Sequence, residues 1–80
     1  AYRNFMEAIP AFTKEGATVE NDTTQPANPF LVVRKGSKEL RFPVNKNIVF
    51  INNKETPLPG VTVKIGDKWY VSKKALDLLR

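Results

Sequence analysis

Eighty residues with 13 Lys and Arg against 8 Asp and Glu, a formal charge of +5, make one small basic domain whose 41% hydrophobic content allows a single modest core. With no cysteine and no histidine, the chain has no means of forming disulfides, thiol nucleophiles, zinc-finger ligation or imidazole acid-base pairs. No segment reaches the roughly 18 apolar residues that span a bilayer, so no membrane insertion is expected; the start at Ala1, with no apolar signal core, reads as a processed product or an excised piece.

Tyr2, Phe5, Met6 and Ile9 recur at the spacing of one helical face, which predicts a helical N-terminal piece over residues 1–16. Pro10 offers no amide to a helix interior. Either the helix stops near Ile9, or Pro10 occupies the first turn of a second short helix from Ala11 to Glu15, and Gly16 ends whichever is there. Ala17 to Glu20 reads as a brief strand, and residues 21–29, NDTTQPANP, as a loop. Asn21-Asp22-Thr23 matches the N-glycosylation sequon, a pattern short enough to arise by chance.

From Phe30 onward, short apolar segments are separated by turn residues, the texture of an antiparallel meander over residues 30–71. FLVVR, from Phe30 to Arg34, is the first strand. After the turn at Gly36, Leu40, Phe42 and Val44 alternate against Glu39 and Arg41. Ile48 to Ile51 is apolar without alternation, which predicts a central strand covered on both faces. Asn52-Asn53 is a positive-φ turn pair, and Thr56 to Gly60, with two prolines, is an extended connector.

Val61, Val63 and Ile65 share one side of the next strand, with Thr62 and Lys64 on the other. Gly66-Asp67 makes a two-residue hairpin loop that sets Trp69 against this apolar side, or Tyr70 if the register moves by one. Ser72 is the expected N-cap of a C-terminal helix over residues 72–80, with Ala75, Leu76 and Leu79 on its buried stripe. Lys73 and Lys74 then sit at the positive end of that helix, where its dipole disfavours them.

The fold class that follows is α+β: a twisted antiparallel sheet of about five strands packed on one or two short helices. Its expected core is Phe5, Ile9, Leu31, Val33, Leu40, Phe42, Val49, Ile51, Val63, Ile65, Trp69, Leu76 and Leu79.

The carboxylates are scattered, and neither a phosphate-binding glycine loop nor a metal-ligand spacing is present, so neither catalysis nor a cofactor is expected. Basic residues are spread from Arg3 to Arg80 in runs no longer than two, the pattern of a solvated, mildly basic surface. The candidate ligand-binding residues are Arg34, Arg41, Lys64, Lys68 and Tyr70, charged and aromatic groups expected on a sheet face as a platform for a sugar or a base. The plainer reading is that they complete an outer sheet face.

The segment from Phe30 to Leu79 resembles the copper amine oxidase N-terminal-like domain, a stalk-type module of bacterial secreted and cell-wall proteins. The likeness runs through FLVVRKGSKELRFPV as a strand pair, IVFINNKETPL as a turn and strand, and IGDKWYVSKKALDLL, where the family has glycine, a bulky residue, Val, Pro, Leu and Arg opening a helix. Gly16-Ala17-Thr18-Val19 is similar to the family's glycine and strand after its helix. Ser72 stands where the family usually has proline, Lys74 where it has arginine, and Pro10 interrupts the first helical region. The resemblance implies an accessory domain set apart from any copper or quinone site, and no copper ligand carries over to a chain without histidine.

Residues and resemblance together lead to the expectation of a non-catalytic accessory or interaction module of a secreted or cell-surface bacterial protein, binding a protein partner or cell-wall polymer. The alternative is a small nucleic-acid-binding domain using Arg34, Arg41, Lys64, Lys68 and Tyr70 on one sheet face. A third reading is a pro-domain or inhibitor that docks by an edge strand.

Overall fold

A computed structural model describes residues 3–80. In chain order come β1 (Phe5–Glu7), α1 (Ala8–Lys14), β2 (Thr18–Asp22), β3 (Phe30–Lys35), β4 (Lys38–Pro43), β5 (Ile48–Ile51), β6 (Lys54–Pro57), β7 (Val63–Ile65), β8 (Lys68–Ser72) and a 3-10 helix (Lys73–Leu79). The architecture is α+β and mostly sheet: a five-stranded antiparallel sheet in the order β2-β3-β4-β5-β6, and a three-stranded one in the order β1-β8-β7. The continuous sheet expected over residues 30–71 is therefore two sheets, with the closing hairpin in the smaller one.

The N-terminal piece differs most from expectation. Tyr2 lies outside the described residues. Phe5, Met6 and Glu7 form a strand in register with Ser72, Val71 and Tyr70, and the backbone amide of Lys73 donates to the Asn4 carbonyl. A short isolated helix is marginal in water, so pairing with an available strand edge overrides the helical spacing. The helix begins at Ala8 instead, which puts Pro10 in its first turn, where a missing amide costs no intrahelical bond. Gly16, at φ 87°, ends it. The Gly16 amide donates to the Thr13 carbonyl and the Ala17 amide to the Phe12 carbonyl, the paired bonds of a Schellman cap.

The larger sheet reaches further at both ends than expected. Thr18–Asp22 takes one edge, pairing Thr18 with Arg34 and Asp22 with Phe30, so the predicted loop loses its first two residues to a strand. Lys54–Pro57 takes the other edge, paired with β5. Pro57 is tolerated there because an edge strand needs no second ladder. β5 is consequently next to the edge rather than central, and only Val49 of its four residues is fully buried.

One cluster unites the two sheets. Leu31, Val33, Leu40, Phe42 and Val49 of the large sheet meet Trp69 and Val71 of the small one, Ala8 and Phe12 of α1, and Ala75 and Leu79 of the 3-10 helix. The Phe12 and Phe42 rings stack with centroids 5.7 Å apart. Ile9, Ile51 and Leu76 pack against this cluster from its margins, whereas Phe5, Val63 and Ile65, also expected inside, do not belong to it. No helix among the described residues is long and apolar enough to cross a membrane.

Candidate functional site

The register of the closing hairpin decides what the small sheet shows to solvent. Val63 pairs with Tyr70, Lys64 with Trp69 and Ile65 with Lys68, and paired residues point to the same side of a sheet. Trp69 is fully buried, so its side faces the core. The other side therefore carries Val63, Ile65, Lys68 and Tyr70, joined from β1 by Phe5 and Glu7. Of the two arrangements open from the sequence, the one with Tyr70 against the apolar side of β7 is adopted. Val63 and Ile65 are thus excluded from the core, while Thr62, the polar residue between the valines, is fully buried. Ile65 remains 63% exposed.

This outward side holds an apolar groove of about 440 Å³ lined by Phe5, Met6, Glu7, Val63, Ile65 and Tyr70. A second cleft, of about 480 Å³, adjoins it and shares Phe5 as a wall. Asn4, Gly60, Ser72, Lys73, Lys74 and Asp77 contribute to that cleft. A side chain at position 60 would begin 2.7 Å from Phe5 Cζ, so glycine is what allows the Phe5 ring to lie against the backbone there. Ser72 caps the 3-10 helix as expected, its Oγ accepting the Lys74 amide at 3.2 Å.

The outer face of the large sheet is organised differently. Cross-strand register places Glu20, Val32, Arg41, Phe50 and Glu55 on it, flanked by Asp22, Phe30, Arg34 and Glu39. Arg34 bridges Glu39 at 3.1 Å and Glu20 at 3.4 Å, while Arg41 bonds Asp22 at 3.2 Å. The Arg41 guanidinium also lies 5.0 Å from the Phe30 ring centre, a cation–π contact. Beneath these groups Val32 is fully buried although it points away from the main cluster.

Two groups on this face are shifted towards their charged forms. Hydrogen bonds from the Thr24 hydroxyl and amide, assisted by Arg41, lower the Asp22 carboxyl below its ordinary pKa. Glu39 first, and then Glu20, raise the Arg34 guanidinium above its ordinary value.

The five candidate binding residues do not form one surface. Arg34 and Arg41 belong to the large sheet, and Lys64, Lys68 and Tyr70 to the small one. Because each sheet buries its other side in the same cluster, the two outer faces look away from each other. Lys64, paired with Trp69, lies on the other side of the small sheet from Lys68 and Tyr70, and its Nζ donates to the Gly66 carbonyl at 2.6 Å. On the Arg34 and Arg41 face the cross-strand partners add Glu20, Asp22, Glu39 and Glu55, four carboxylates against two guanidiniums.

The groove and cleft beside Phe5 were hidden from sequence reasoning because Phe5 was assigned to a helix and Val63 and Ile65 to the core. Among the described residues no three acidic side chains converge into a metal-holding group. Compared with known protein families, with characterised proteins and with solved structures, the chain matches none.

Proposed function

We propose that this chain is a non-catalytic interaction module of a secreted or cell-surface protein, holding a protein partner on the outer face of its small sheet. The observation that carries the reading is the side chosen by the hairpin: Phe5, Val63, Ile65 and Tyr70 line a solvent-open apolar groove. An apolar sheet face left open to water costs solubility and is characteristic of a surface that meets another molecule. The large sheet supplies an internal contrast, since its outer aromatic and aliphatic groups lie among ion-paired arginines. The likeness to a stalk-type accessory domain supports the envelope setting and a role without chemistry of its own.

The nucleic-acid alternative loses support from the division of Arg34 and Arg41 from Lys68 and Tyr70 between two opposed faces. A photo-crosslinking residue introduced at Ile65, in the cell that makes the protein, tests the proposal. A discrete protein adduct is expected at position 65 and none with the same residue at Lys54 on the far edge of the other sheet. Equal adducts at both positions, or none at either, refute it.

A further inference from the structure

We propose that the partner segment is acidic: a bulky apolar side chain occupies the groove of Phe5, Val63, Ile65 and Tyr70, and a neighbouring carboxylate is held by Lys73 and Lys74 in the adjoining cleft. The inference rests on the reading of the chain as a protein-binding module and adds the chemistry of what it binds.

Three observations converge on it. The two concavities meet at Phe5, whose ring is seated against the Gly60 backbone, so one short extended segment is able to contact both. Lys73 and Lys74 line the cleft and are exposed. Every ion pair among the described residues is made by Arg34, Arg41 or Arg80, which leaves these lysines without a carboxylate. The cleft's own carboxylate, Asp77, lies 3.7 Å from Arg80 and makes no ion pair with either lysine.

Polar donors complete the cleft. Asn4 lines it, and Ser72, 5% exposed, uses its Oγ to accept the Lys74 amide while its hydroxyl donates to none of the described residues. The fold gives no internal reason for two adjacent cations here, and an incoming carboxylate supplies one. On the groove side, Lys68 beside Ile65 offsets the Glu7 carboxylate that lines the groove, which leaves the field of Lys73 and Lys74 uncancelled. A second copy of the chain is the poorer occupant, because its +5 charge and the same lysines oppose it.

The test uses the ¹⁵N-labelled chain and three blocked tetrapeptides: Leu-Phe-Glu-Glu, Leu-Phe-Gln-Gln and Ala-Ala-Glu-Glu. Titration to about 10 mM covers the weak affinities expected of such short segments. Leu-Phe-Glu-Glu is expected to shift the amides of Val63, Ile65, Gly60, Lys73 and Lys74, with an affinity about fivefold or more above that of either other peptide. Lys73→Gln with Lys74→Gln should erase its advantage over Leu-Phe-Gln-Gln while leaving the latter's binding unchanged.

If Leu-Phe-Gln-Gln binds as well, the apolar docking face stands and the carboxylate site falls. If Ala-Ala-Glu-Glu binds as well, simple charge attraction replaces the inference. If none shifts these amides, the carboxylate site falls together with the docking face. Concentration-dependent dimerisation that shifts the same amides would identify a second copy as the occupant and overturn the acidic segment.

Discussion

Thr62 and Trp69 are both fully buried, and Thr62 Oγ1 and Trp69 Nε1 have no hydrogen-bond partner among the described residues. A buried unpaired hydroxyl costs on the order of 1–3 kcal/mol, so Thr62→Val, which keeps the shape, should stabilise the fold by about 1 kcal/mol. Trp69 behaves oppositely, because its indole is the largest wholly buried group in the molecule. Trp69→Ala should cost about 3–5 kcal/mol. Urea unfolding measures both, and an unchanged midpoint for Trp69→Ala would contradict its placement in the core. Asp22 adds a pH signature. Its folded pKa lies below the ordinary 3.8, so its contribution is present above that value and lost as pH falls through the lower folded value. The Tm advantage of the native chain over Asp22→Asn should therefore shrink on acidification below about pH 3.8. A gap that stays constant with pH rules out this coupling.

Among the elements, the β5–β6 hairpin shows how much of the fold the sequence carries locally. Asn52 and Asn53 adopt φ of 49° and 72°, the two left-handed residues of a type I′ turn, as their adjacency predicts. Their roles differ, since Asn52 Oδ1 also accepts the Glu39 amide at 2.7 Å from the neighbouring strand. Asn53→Gly should accordingly stabilise by up to about 1 kcal/mol, whereas Asn52→Ala should destabilise by about 1–2 kcal/mol. Thermal melts of the two variants test the distinction, and equal effects would show that the Asn52–Glu39 bond contributes nothing. The β3–β4 strands, the Gly66 turn, the Gly16 stop and the Ser72 cap were legible for the same reason: each is set by residues close in sequence. β1 and the groove were not. Whether Phe5–Glu7 is helix or strand depends on an edge of β8 more than sixty positions away, and which side of β7 is buried depends on a one-residue choice of register.

Across the whole molecule, charge sorts by pairing rather than by number. The large sheet's arginines are spent on Glu20, Asp22 and Glu39, while no lysine makes an ion pair among the described residues, neither Lys68, Lys73 and Lys74 nor Lys35 and Lys54 of the large sheet. Composition reports only the total, +5, and so gave no means of telling a neutralised face from an available one. Retention on a cation-exchange surface separates the two, because a matrix senses the accessible field of the side that docks on it and not the net charge alone. Arg34→Gln with Arg41→Gln and Lys73→Gln with Lys74→Gln each remove two positive charges. If the free field lies on the small-sheet side, the lysine pair should lower the eluting salt concentration more than the arginine pair, with circular dichroism confirming that both variants are folded. An equal or larger effect of the arginine pair would place the dominant basic surface on the large sheet, and would return Arg34 and Arg41 to the position that Glu20, Glu39 and Asp22 now deny them.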